Sequence, residues 1–169
     1  MTTEWWQRGS IDGVPALLQP VAHMVLQIGE SAHSLVDGLS ESQWNARPAG
    51  VASIAFHVRH MTGVLDRLFT YARGQGLSES QFGALRNEDA LVSNDDVPML
   101  IATLDAQVQS ALTELRSIDP AILGDHRVIG RAQLPSTVIG CLVHGAEHGM
   151  RHVGQLSVTA RVVRSLLRP

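Results

Sequence analysis

The chain has 169 residues, 44% of them hydrophobic and 17% charged, a balance that excludes a disordered chain and a coiled coil. A formal net charge of −3, with all 13 basic residues arginine and no basic stripe, disfavours a nucleic-acid partner. The single cysteine, Cys141, excludes an internal disulfide and fits a reducing compartment. The length suits one domain over residues 1–169. The first residues lack the apolar core of a signal peptide, and no apolar run approaches the roughly 20 residues of a membrane span. The expectation is a soluble, cytoplasmic protein with no membrane partner.

Trp5 and Trp6 precede any regular pattern and suit packing of a terminal segment or a subunit interface. From Val14 to Leu39, Leu17, Leu18, Val21, Val25, Leu26, Ile28, Leu35 and Val36 recur with helical period, with Pro15 in the first turn and Gly38 as a stop. His23 and His33 lie singly on this helix and read as surface or packing residues. Ser40 to Gln43 has the form of a capping box, broken by the stretch from Trp44 to Pro48. Ser53 can cap a second long helix running to Arg73, with His57 and His60 three apart in its first two turns. Residues 77–96 form an acidic connection whose charges read as solvated; Ser78 to Gln81 repeats the capping-box pattern, and the length suggests a crossover. Ser93 or Asn94 can cap a third helix from Val97 to Ile118, with Asp95 and Asp96 favourable in its first turn. Gly124 to Leu134 reads as loop, and Pro135-Ser136 opens a last helix extending to Arg168. Four long amphipathic helices without a convincing strand pattern predict an all-α fold, a four-helix bundle with a long crossover connection.

The last helix carries His144, His148 and His152 at spacings of four, a ladder of imidazoles on one face. Ile139, Leu142, Val143, Ala146, Met150, Val153 and Leu156 surround it at helical spacing, which puts the ladder on or beside the buried face. An imidazole in a core is costly without a partner, and a metal ion is one such partner. A lone H-x-x-x-H more often packs than binds metal; the third rung and the His57–His60 pair on another helix raise the metal reading to about even. His144 to His148 also matches the inverted zinc-protease signature H-x-x-E-H, but no Asp or Glu follows Glu147 to complete such a site, and the match is read as chance.

The segment from Ser53 to Met61, following Trp44 and Arg47-Pro48, resembles the early metal-binding helix of the DinB/YfiT-like superfamily. The segment from His148 to Gln155 is similar to that family's late motif, H-x-x-x-H followed by x-G-Q. The two motifs come in the family's order, and the resemblance covers nearly the whole chain. It implies a four-helix bundle holding a divalent metal on three histidines, here His60, His148 and His152. Zinc or nickel is the first expectation for the ion, iron or manganese the alternative. Three neutral imidazoles leave coordination positions open, as in catalytic sites, where the metal lowers the pKa of a bound water or thiol. The resemblance implies a thiol-dependent transferase of the bacillithiol or mycothiol type, using a low-molecular-weight thiol and a small-molecule substrate. The alternatives are a hydrolase using a metal-bound water and a non-catalytic metal-binding or stress-related dimer.

His57 competes with His60 as the helix-2 ligand; the spacing from Ser53-Ile54 favours His60 and leaves His57 behind the ligand or as a candidate base. His144 lines the pocket mouth or faces solvent, and with His57 completes the candidate catalytic set. Glu147 lies about 100° around the helix from its histidine neighbours and reads as a surface residue. Gln155 orients a ligand or packs, Cys141 reads as a buried inert thiol, and Arg59 and Arg151 are candidates for a polar rim. Gly145, Gly149 and Gly154 permit close helix packing, including between subunits, and a homodimer is expected.

Overall fold

The computed structural model describes residues 3–167. Its four long helices are α1 (Gln19–Val36), α3 (Ile54–Ala72), α5 (Val97–Ser117) and α6 (Val138–Leu166). Two short helices, α2 (Glu41–Asn45) and α4 (Glu79–Arg86), lie in the connections. Both are opened by complete capping boxes, at Ser40 with Gln43 and at Ser78 with Gln81. The expected first helix begins later than Val14, because a single tight turn, Ala16–Leu18, precedes the α-helical run. At its far end α6 is described to Leu166; Arg168, to which the last helix was expected to run, lies outside the described residues.

The bundle has a definite handing of directions. Leu68 meets Gly145, and His57 meets His152, so α3 and α6 are antiparallel. Ile28 meets Gly149, and Arg164 donates to the Asp37 carbonyl, so α1 and α6 are parallel. Val108 meets Gly29 and Arg116 donates to the Asp12 carbonyl, so α5 runs against α1. Arg73 pairs with Glu114 at the far ends of α3 and α5, which are therefore parallel neighbours. Parallel neighbours in sequence need a connection that travels back along the bundle, and residues 73–96 make that return, as the length of the connection predicted. Trp44, Ile54, Met61, Leu65, Phe69, Leu104, Leu115, Leu142 and Leu156 fill the core at no more than 1% exposure, while Trp6 stays exposed.

Two expectations need correction. The stretch from Gly124 to Leu134 is not all loop: β1 (His126–Ile129) and β2 (Leu134–Thr137) form an antiparallel hairpin, with Val128 opposite Pro135. Strands of four residues with a proline at an edge carry too little alternation to announce themselves. Consequently Pro135-Ser136 belongs to β2, and Thr137 caps α6 by accepting from the Gly140 amide at 3.1 Å. The second concerns α5, whose N-cap is Asp96 rather than Ser93 or Asn94; the Asp96 carboxylate turns back to accept from the amide and hydroxyl of Ser93. Among the described residues no helix is long and apolar enough to cross a membrane.

Helix α6 approaches α1 closely because Gly149 lacks a side chain: a Cβ there would lie 2.4 Å from Ile28 Cδ1. Ile28 is fully buried and has little room to move. Gly149→Ala is therefore expected to destabilise by about 1–3 kcal/mol despite alanine's better helix propensity. In an Ile28→Val background, which removes Cδ1, the same change is expected to be close to neutral. Urea unfolding of the four proteins checks this; additive effects would contradict the close-packing explanation.

Candidate metal centre

Helix α3 starts where it does because the Ser53 hydroxyl accepts from the Phe56 amide at 3.2 Å, a cap worth about 1 kcal/mol. That start sets the phase of the helix and turns His57 and His60 towards α6. Period-four spacing on α6 supplies His148 and His152 on the facing side. The result is a cluster in which one ligand-type atom from each of His60, His148 and His152 lies within 4.8 Å of the others. His60 Nε2 is 3.1 Å from His148 Nε2, and His152 Nε2 is 3.2 Å from the same atom.

Behind His60 stands a residue the sequence reading passed over. Glu88 Oε2 lies 2.7 Å from His60 Nδ1, with the glutamate only 5% exposed although it comes from the crossover between α4 and α5. A carboxylate accepts, so Nδ1 of His60 carries a proton towards Glu88, and Nε2 is the ring nitrogen turned to the cluster, the one left to ligate an ion. The other carboxylate oxygen, Oε1, is 2.9 Å from a guanidinium nitrogen of buried Arg67, an ionic contact without hydrogen-bond alignment. Gly63 makes the slot for this pair: a Cβ there would sit 2.4 Å from the Arg67 guanidinium and 3.0 Å from Glu88 Oε1. Burial would raise the Glu88 carboxyl, but the His60 hydrogen bond and the charges of His60 and Arg67 outweigh it and hold the group below its ordinary value. The Phe56 ring stacks on His60, with centroids 5.2 Å apart, and steadies the imidazole from the other side.

His57 is buried beside the cluster and outside it: its Nδ1 meets His152 Nδ1 at 3.0 Å. Burial, then repulsion from His60, lowers its pKa to about 4. His152 is also lowered to about 4, by burial and then by His60, His57 and His148. Burial lowers His148 in the same direction. His144 stands one turn further along α6, exposed, edge-on to His148 at 5.5 Å between centroids and 3.8 Å from Glu147. Glu147 is exposed and paired with Arg151 at 2.6 Å, so neither is a free rim charge. Arg59 is committed to the crossover, donating to the carbonyls of Ala90 and Leu91. Gln155 is exposed on α6, and Cys141 is buried, its thiol pushed up by burial.

The donor set suits a metal ion. Nitrogens held 2.0–2.1 Å from one ion are spaced about 3.0 Å apart in octahedral and about 3.4 Å in tetrahedral geometry, and the observed 3.1 and 3.2 Å fall between. The depressed values of His148 and His152 keep both rings neutral near pH 7, as metal ligation requires. The arrangement is also poorly served by protons alone. His148 Nε2 faces two other nitrogens, and a single ring nitrogen offers one proton or one lone pair, not both.

In the metal-free protein the same burial gives a pH signature. His57 and His152 bind protons in the unfolded chain below about 6.5 and resist them in the fold down to about 4. The unfolded state therefore holds more protons in this window, and stability rises with pH across it. Between pH 6.5 and 5, stability is expected to fall on acidification by about 1–2 kcal/mol per pH unit, allowing for the partial exposure of His152. Urea unfolding at stepped pH reads the slope, and His57→Phe is expected to reduce it; a flat profile would contradict the assignment.

A model of the DinB superfamily matches residues 26–156 of the chain. Among solved structures, a conserved protein from Enterococcus faecalis is similar at a TM-score of 0.72 and 19% identity, over 88% of this chain and 98% of that one. At that identity the likeness concerns the fold. No curated protein matches the sequence.

Proposed function

We propose that this chain, which belongs to the DinB superfamily, holds a divalent metal ion on His60, His148 and His152 and acts as a metal-dependent enzyme, in the first reading a transferase using a low-molecular-weight thiol of the bacillithiol or mycothiol type. The observation that carries the reading is the convergence of three imidazole Nε2 atoms, one of them oriented by a buried carboxylate. Zinc or nickel suits neutral nitrogen donors best, with iron or manganese as alternatives. When bound, such an ion supplies Lewis acidity, which favours the thiolate form of a thiol or the hydroxide form of water.

The chain's own residues then have separable tasks. Glu88 and Arg67 hold the His60 ring and its proton. His57 holds His152. Phe56 shields His60 on one face. Among the described residues no carboxylate joins the nitrogen cluster, so the ion would keep its full charge for substrate. That donor set serves a hydrolase equally, which is the second reading; a non-catalytic metal-binding dimer is the third. The same proposal takes the chain as a single domain over residues 1–169, working as a cytoplasmic homodimer; light scattering of the purified protein reads the dimer directly.

Elemental mass spectrometry on untagged protein is expected to find close to one divalent ion per chain. His60→Ala, His148→Ala and His152→Ala are each expected to lose it while the helical circular-dichroism signal persists. Glu88→Gln is expected to weaken metal affinity about 10–100-fold without abolishing binding. Protein that neither contains nor takes up zinc, nickel or manganese would sink the enzyme reading. Thiol cofactors screened against simple ester and amide substrates separate transferase from hydrolase.

A further inference from the structure

A cavity of about 610 Å³ opens beside the nitrogen cluster, between the segment leading into α3 and the outer face of α6. Its size falls within the range of small-molecule sites. Its walls are mainly apolar, with Val51, Ala52 and Val158, and its polar groups include His57 and Arg151. Arg151 is already neutralised by its two contacts with Glu147. His57 is different. Its Nδ1 is engaged by His152, and among the described residues no protein atom bonds its Nε2.

A count of protons fixes what that nitrogen offers. A neutral imidazole carries one N–H. His152 presents Nε2 to the cluster, so as a metal ligand its proton is on Nδ1. That proton lies between His152 Nδ1 and His57 Nδ1, which are 3.0 Å apart. His57 Nδ1 must then accept, and its own proton is left on Nε2. We infer that His57 is a hydrogen-bond donor at the wall of this cavity, and that the cavity takes a small, largely apolar molecule bearing an accepting oxygen, a carboxylate or carbonyl. The inference rests on the three-histidine metal reading and adds the ligand class to it. It also sets the direction at each nitrogen of His57: in the metal-loaded state Nδ1 accepts from His152, and Nε2 carries a proton that it can donate into the cavity. Because the relay runs through a ligand of the metal, ion and small molecule bind with positive coupling, each favouring the proton arrangement that suits the other.

The test uses full-length protein labelled with ¹⁵N-histidine, its zinc content measured on the sample itself, with octanoate as the probe. In zinc-loaded protein the long-range ¹H–¹⁵N spectrum is expected to show His57 Nδ1 as unprotonated and Nε2 as protonated. Octanoate is expected to shift the Nε2 signal, to bind more tightly to zinc-loaded than to metal-free protein, and to lose at least tenfold in affinity in His57→Phe and in Val158→Trp. Zinc content is expected to stay stoichiometric in Val158→Trp, whose side chain is on the exposed rim, so this variant reports even if His57→Phe folds poorly. Stoichiometric zinc with His57 protonated on Nδ1, or with octanoate unbound or unaffected by Val158→Trp, overturns the inference alone. Protein that holds no zinc overturns the metal reading and this inference with it.

Discussion

The contact between Glu88 and His60 is the constraint on which the centre depends. Three imidazoles converging so that His148 lies little more than 3 Å from each of the other two are unstable neighbours unless each ring's proton points away from the shared space. For His60 the outward direction is enforced by a carboxylate that can only accept. Burying that carboxylate would be costly by itself, and Arg67, also buried, offsets the cost by ionic contact. The small residue at Gly63 gives the pair its place against α3. Removing any one of these members leaves another buried charge or a free ring, so the group acts as a unit.

The topology explains how a residue from a connection reaches the interior. Because α3 and α5 run in the same direction, the chain must travel back along the bundle between them. It makes the return past the face of α3 that bears His60, and Arg59 fastens the return by donating to two carbonyls there. Asn45 adds a second fastening from α2, donating to the Val92 carbonyl at 2.7 Å and accepting from the Val92 amide at 2.9 Å. The crossover is thus both a link and a wall of the centre.

Much of this was legible in the residues. The helical periods, the caps at Ser40, Ser53 and Ser78, and the histidine spacings are local signals, and each predicts a local structure that is present. The three clustered histidines were legible as a resemblance, through motifs on two helices. Glu88 was not, since it sits among Asp89, Asp95 and other acidic residues whose solvated state is the usual one, and only its tertiary surroundings set it apart. The His57–His152 pair was hidden for the same reason: the nitrogen contact joins residues 95 positions apart. The hairpin escaped because its strands are too short to show a period.

Helix α6 serves two partners with one repeat. His148 and His152 face α3, while Gly149, one position along from His148, receives Ile28 of α1. Both roles depend on the angular phase of a single uninterrupted helix, since one residue more or less turns everything beyond it by about 100°. A one-residue insertion between Gly149 and His152 would move His152 out of the cluster and carry Leu156 and Ala160 out of the core in the same step. The chain can therefore drift in length at the turn of the hairpin, where residues 130–133 face outward or lie half-exposed, but hardly at all in the middle of α6. Across distant relatives, gaps should gather at that turn, and the helix should hold a constant residue count between its histidines and its last core leucine.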